Sequence, residues 1–161
     1  MKKIYLIRHA KAEKTEKIDD FERELNARGK EDIKIMAASL LSLDIVPDAV
    51  YTSVAKRCIQ TAKRFCDILK FKGKIEVLDG LYQASANDII SLVLGLNSEL
   101  NEVFIIGHNP AITEASEVIS HSIIDAMPTC GICCIEFENG FLDTQHTKLA
   151  FFDFPKNHKN S

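Results

Sequence analysis

The chain has no long hydrophobic run, no excess of basic charge and no second ligand pair to match its single C-x-x-C. A membrane span needs about 20 consecutive apolar residues, and no segment approaches that length. The formal net charge of −3 leaves no basic footprint for nucleic acid. Two lysines precede an apolar run at the start, in the manner of a signal peptide. That run stops at Arg8 and His9 after four residues, Ile4 to Ile7, too short for the apolar region of such a peptide. The expectation is a soluble cytoplasmic protein with neither nucleic acid nor membrane as partner. Repeats, linkers and low-complexity segments are also missing, so residues 1–161 read as one domain, long enough to bury a proper core.

The five cysteines, Cys58, Cys66, Cys130, Cys133 and Cys134, are odd in number, and three share one short apolar stretch. A disulfide framework does not fit that compartment. Cys130 and Cys133 would need a second pair to hold zinc, and none stands at a recognisable spacing. The simpler reading is a buried strand over 130–137 that uses cysteine as a small apolar residue. The sequence also offers no carboxylate cluster suited to Mg²⁺.

Short, wholly apolar runs alternate with amphipathic segments along most of the chain. Ile4–Ile7 and Val103–Ile106, apolar throughout, read as strands suited to burial on both faces, and Ala49–Tyr51 and Ile75–Leu78 as two further short strands. Between them, Asn26 caps a helix running to about Leu43, with Ile33, Ala37, Leu40 and Leu41 as its apolar face. Ser53 is a candidate cap for a second helix, whose inner face is Cys58, Ala62, Phe65, Cys66 and Leu69. Ser85 and Asp88 form a capping-box-like start to a third. Asn109 as N-cap and Pro110 at the first helical position open a fourth, ending near Ser120. Two strands close the chain near 132–137 and 148–154, joined by a turn at Glu138-Asn139-Gly140. Residues 11–24 read as a surface loop and the tail after Pro155 as loose. This order predicts a three-layer α/β/α domain with a mainly parallel sheet of about six strands.

In such sheets, sites form beyond the carboxyl ends of the strands. Three junctions there carry unusual polar residues. The first strand ends in Arg8-His9, the second in Thr52-Ser53 with Arg57 just inside the next helix, and the fourth in Gly107-His108 before a helix N-terminus. Alone, each has a bland reading: Arg8 and Arg57 as solvated surface residues, His9 as a satisfied buried histidine, His108 as a loop residue. Together they suit a phosphoryl group. Guanidinium groups and helix N-termini bind its oxygens. One neutral histidine can attack phosphorus, while a second stabilises the developing charge.

Arg8-His9-Ala10 after an apolar strand resembles the R-H-G or R-H-A signature of the histidine phosphatase (phosphoglycerate-mutase-like) superfamily. Thr52-Ser53-Val54-Ala55-Lys56-Arg57, with Gln60-Thr61-Ala62, resembles that family's second motif, and Gly107-His108-Asn109 its third. Asp20-x-x-Arg23-x-Leu25-Asn26, Leu81-Tyr82-x-Ala84 and Pro128-Thr129 are similar to the small SixA-type phosphohistidine phosphatases. The resemblance implies a phosphoglycerate-mutase-like fold and a metal-independent, cofactor-free phosphatase. It would act on phosphohistidine of a phosphorelay-type protein partner. It implies His9 as nucleophile, Arg8, Arg57 and His108 as phosphate ligands, and Arg23 and Ser53 as candidate substrate contacts. Hydrolysis of small phosphate esters or sugar phosphates is the enzymatic alternative, and a non-catalytic phosphate-binding module the other. Many relatives keep a glutamate general acid after the third strand, where this chain has Asp79-Gly80-Leu81-Tyr82-Gln83-Ala84-Ser85. Asp79 could fill that place or be a turn residue, and Asp20 is the second candidate.

Overall fold

The computed structural model describes residues 2–159. Among them, six strands form one sheet: β1 (Lys2–Arg8), β2 (Ala49–Ser53), β3 (Ile75–Leu78), β4 (Glu102–Gly107), β5 (Ile132–Phe137) and β6 (Thr147–Asp153). Four α-helices cover it: α1 (Ala27–Ser42), α2 (Lys56–Leu69), α3 (Ala86–Leu94) and α4 (Ala111–Ser120). Alternate residues of the central strands feed two cores. Tyr5, Ile7, Phe104 and Ile106 pack with α1 and α2, whereas Ile4, Leu6, Val103 and Ile105 pack with α3 and α4. Burial on both faces is why these strands are unbroken apolar runs. No described helix is long and apolar enough to cross a membrane.

The strand order is β3-β2-β4-β1-β5-β6. The first four strands run parallel, but β5 pairs antiparallel with β1 and β6 antiparallel with β5. The sheet is therefore mixed, not mainly parallel. The cause is the segment 121–131, which follows α4 back to the carboxyl edge, so that β5 starts beside Ile7 and runs the other way. This return is pinned at the edge: Cys130 N–H donates to the carbonyls of Arg8 (3.0 Å) and His9 (3.1 Å). Gly131 permits the tight bend, since a Cβ there would lie 2.6 Å from Met127 Cγ and 2.8 Å from the Pro128 carbonyl oxygen.

Local signals largely set the helix starts. Asn26 Oδ1 accepts from Gly29 N–H at 2.8 Å, and Ser85 with Asp88 completes a reciprocal capping box. The inner face of α1 is Ile33, Met36, Ala37 and Leu40, while Leu41 is 43% exposed; the i+3 position, not i+8, completes the stripe. Ser53 ends β2 and does not cap α2, whose N-cap is Ala55. At α4 the N-cap is Pro110, not Asn109. Asn109 instead donates from Nδ2 to the Met127 carbonyl and accepts from Thr113 Oγ1. The last two strands do form a hairpin, with a connection spanning 138–146 in which Asn139 and Gly140 both have positive φ. The tail is not loose as far as it is described. Residues 155–158 form a 3₁₀ turn, and Lys159 Nζ sits 2.8 Å from the buried Asp32 carboxylate on α1. Residues 160 and 161 lie outside the described residues.

Candidate active site

Register makes the three polar junctions neighbours. Arg8 on β1 pairs with Gly107 on β4, and Ile106 pairs with Thr52 on β2. β1 leads through α1 to β2 on one side, while β4 leads through α4 to β5 on the other. The crevice at β1 and β4 is thus where the winding direction reverses, the usual place for a ligand in an open α/β sheet. An open pocket of about 340 Å³ lies there, lined by Arg8, His9, Asp20, Arg23, Arg57, Tyr82, Gln83, His108 and Asn109.

His9 is 8% exposed, and its Nδ1 lies 2.8 Å from the Ala10 carbonyl oxygen. A carbonyl only accepts, so Nδ1 carries the proton and Nε2 keeps a free lone pair. Arg57 Nε donates toward that lone pair at 3.4 Å. The backbone is held equally firmly, with Ala10 N–H donating to Thr61 Oγ1 on α2 at 3.0 Å. Burial, foremost, lowers the His9 pKa to about 3; the Ala10 hydrogen bond opposes this, and the positive Arg57 and Arg8 add to it. His9 is therefore a neutral imidazole at neutral pH with one nitrogen facing the pocket.

His108 takes the opposite tautomer. Arg57 Nη2 lies 3.3 Å from Nδ1, and an arginine nitrogen can only donate, so Nδ1 accepts. Nε2–H then donates to Ser53 Oγ at 2.8 Å, with Cys58 Sγ 3.5 Å away. Burial and then the Arg57 charge lower the His108 pKa to about 4. The two imidazole rings meet edge-on, centroids 5.4 Å apart. Arg8 reaches the pocket from β1 with Nη1 donating to the Met127 carbonyl at 2.9 Å. Its buried Nε has no hydrogen-bond partner among the described residues. Two guanidinium groups, those of Arg8 and Arg57, thus line the pocket that holds His9, and Arg57 reaches its Nε2.

The other expected residues divide. Ser53 is fully buried with its Oγ on His108 Nε2, so it supports that ring, and it is not among the residues lining the pocket. Arg23 lines the pocket and pairs with Asp20 at 2.9 Å. Asp20 lies at the rim, where burial raises its pKa but hydrogen bonds from Tyr82, Arg23 and Arg57 hold the carboxyl well below the usual carboxylate range. Asp79 is exposed at the start of a 3₁₀ turn and does not line the pocket. Tyr82, Gln83 and Asn109 are pocket residues to which sequence reasoning gave no role in the site. Their signal was position: two follow β3 and one follows β4 at the sheet's carboxyl edge. Among the described residues no three His, Cys, Asp or Glu side chains gather as a metal site requires. All five cysteines are free and buried, with Cys130 in the turn before β5 and Cys133 and Cys134 in opposite cores.

The depressed histidines predict an acid sensitivity. Unfolded histidine gains a proton below about pH 6.5, whereas folded His9 stays neutral to about pH 3. Stability is therefore lost as pH falls through that window, by about 1.4 kcal/mol per pH unit for each such group. At pH 5 His9 alone costs about 2 kcal/mol relative to neutral pH. That corresponds to about 4–8 °C in melting temperature for a domain of this size. His9→Gln removes the titration, so its melting temperature should fall less between pH 7.5 and pH 5. Parallel melting curves for the two proteins would contradict a neutral buried His9.

The sequence profile of the histidine phosphatase superfamily (branch 1) matches residues 4–90. No curated protein sequence matches the chain. Among solved structures, a protein of Agrobacterium tumefaciens assigned as a phosphohistidine phosphatase SixA is 26% identical. It covers 94% of this chain and 97% of its own, with a TM-score of 0.81. A protein histidine phosphatase SixA complexed with tungstate is 21% identical over 98% of this chain and 99% of its own, with a TM-score of 0.85. A phosphoserine phosphatase of Entamoeba histolytica in complex with 3-phosphoglyceric acid is 15% identical over 95% and 97%, with a TM-score of 0.71.

Proposed function

The chain belongs to the histidine phosphatase superfamily, and on that premise we propose that it hydrolyses phosphohistidine on a protein partner by way of a phosphorylated His9. The observation that carries this reading is the Nε2 lone pair of His9, fixed by the Nδ1–Ala10 hydrogen bond in a pocket lined by two guanidinium groups, those of Arg8 and Arg57. Nε2 attacks phosphorus and the P–N bond to the leaving imidazole breaks. Arg8, Arg57 and His108 take the equatorial oxygens. His108 binds a proton as the dianion enters, since a phosphoryl group beside it offsets the burial that keeps it neutral when free. Water then attacks the phosphoenzyme, releasing phosphate and restoring the His9 lone pair.

Three observations support a histidine on a protein surface as the leaving group. The similarity to SixA-type proteins spans nearly the whole chain. The pocket is open, and it shares Asp20 and Arg23 with a second depression of about 580 Å³ that is lined further by Lys14, Thr15, Glu16 and Ile18. The one carboxyl that lines the pocket among the described residues, Asp20, is held in its ionised form. Two arginines, joined by His108 once it has taken up a proton, supply the positive field that a metal ion supplies elsewhere. The test is phosphate release from a phosphorelay-type protein carrying phosphohistidine, with and without chelator. The rate should be the same in both, and vanadate should inhibit. A tenfold loss with chelator, restored by added metal, would sink the metal-free mechanism; no release at all would sink the substrate reading.

A further inference from the structure

We infer that Asp20 is a positioning residue for Arg57, gripping the outer edge of its guanidinium so that the inner edge faces the two histidines. This rests on the proposed role of Arg57 as a phosphate ligand. A guanidinium group presents its donors on two edges of one plane, Nε with Nη2 and Nη1 with Nη2. On the outer edge, Arg57 Nη1 donates to the main-chain oxygen of Asp20 at 2.7 Å and Nη2 to Asp20 Oδ2 at 3.0 Å. A single residue thus supplies both acceptors, one from backbone and one from side chain. On the inner edge, Nε lies 3.4 Å from His9 Nε2 and Nη2 lies 3.3 Å from His108 Nδ1. The outer bonds are the shorter ones, and one of them ends on a carboxylate; the inner ones are long and end on neutral rings. An incoming phosphoryl group displaces the weak set and leaves the strong set intact.

Asp20 is held in its turn. Tyr82 O–H donates to Oδ2 at 2.8 Å, and Arg23 Nη1 donates to Oδ1 at 2.9 Å. Arg23 is tied back to its own loop by Nε donating to the Glu13 carbonyl at 2.6 Å. The Phe21 ring stands edge-on to Tyr82, centroids 5.4 Å apart. The grip therefore reaches from loop 11–24, across Asp20, to the turn after β3. Three donors on the carboxylate also disqualify Asp20 as the group that protonates a leaving oxygen, because they stabilise the form that has no proton to give. An unrestrained arginine would lose aim through its four side-chain torsions, and the site would bind the transition state less tightly with its chemistry otherwise unaltered.

The test uses the full-length protein with aryl phosphates of graded leaving-group basicity, and vanadate as the binding probe. Asp20→Ala should lower kcat/KM by about 10- to 100-fold, the range for losing a charged hydrogen bond. Vanadate affinity should fall in step. Asp20→Asn, which keeps the backbone acceptor and one side-chain oxygen, should retain most of the function, and Tyr82→Phe should show a smaller loss than Asp20→Ala. The factor lost should be the same for good and poor leaving groups. In an Arg57→Ala background, Asp20→Ala should have little further effect, because the two act as one unit. A loss that grows with leaving-group basicity would make Asp20 an acid and overturn the proposal. So would additive losses in the double variant, or a lowered melting temperature with kcat/KM and vanadate affinity unchanged. Coupling that holds in a protein inactive on phosphohistidine would support the role of Asp20 and count against the substrate reading alone.

Discussion

His9→Ala should abolish the covalent phosphoenzyme and lower turnover by about 10⁴-fold or more, the scale seen when a nucleophile is removed from a site whose parts act together. The neighbouring groups cannot take over. In the proposed mechanism His108 takes up a proton as the dianion enters, with Nε2–H held on Ser53 and Nδ1 then protonated, so neither nitrogen keeps a lone pair to attack phosphorus. The Cys58 thiol lies beside His108, but burial pushes its pKa up to about 12, which leaves almost no thiolate at neutral pH. What survives in His9→Ala is binding by Arg8 and Arg57 without an attacking atom. Rapid quenching with labelled phosphohistidine substrate should give a phosphoenzyme in the parent protein that is labile in acid and stable in alkali, the behaviour of a P–N bond. The variant should still bind vanadate, weakened but measurable, because both guanidinium groups remain. Label that persists in His9→Ala would assign the nucleophile to another residue.

The second large effect concerns the bond broken. The ratio of kcat/KM for a phosphohistidine protein to that for a simple alkyl phosphate should be at least ~10², the lower end of what a positioned general acid contributes. An alkoxide leaves poorly unless it is protonated in the transition state. The stretch after β3, Asp79 to Ser85, contains no glutamate; its Gln83 lines the pocket, and an amide has no proton to transfer. Asp79 stands exposed outside the lining, and Asp20 is ionised and shared among three donors. An imidazole needs less help, because its basicity lies near neutrality and water can protonate the ring before the bond breaks. Aryl phosphates with good leaving groups should fall between the two. Equal efficiency on phosphohistidine and alkyl phosphate would mean that an acid is delivered from elsewhere, and Gln83→Glu would then bring no gain. Under the present reading Gln83→Glu should raise alkyl phosphate hydrolysis and leave phosphohistidine turnover nearly unchanged.

What could be read from the sequence was the part that obeys local rules. Strands buried on both faces must be apolar throughout, so the polar residues at which they stop, Arg8-His9, Thr52-Ser53 and Gly107-His108, stand out and map to one edge. Asn26 and the Ser85–Asp88 box declared two helix starts for the same reason. The expectations that needed revision depend on packing between distant segments. Nothing in the apolar run of β5 gives its direction, which is decided by the route of residues 121–131. Ser53 was a candidate cap because a serine after a strand commonly is one; instead it is buried, with its hydroxyl bonded to His108, which follows another strand. Asn109 serves Met127 and Thr113 instead of its own helix, since the return segment brings a carbonyl within reach. The Asp20–Tyr82–Arg23 cluster joins residues up to 62 positions apart, and no period or motif spacing reveals such a meeting.

The five buried thiols have a practical consequence. Cys58, Cys66, Cys130 and Cys134 lie in the layer beneath α1 and α2, and Cys133 lies in the layer beneath α3 and α4. A thiol reagent must wait for the layer above each sulfur to open, so each labelling rate is a clock for one depth of the molecule. Cys133 and Cys134 are successive residues that time the two sides of a single sheet. Mass spectrometry of the labelled chain would show whether the helical layers breathe together or separately, and no substitution would be required to make the probe.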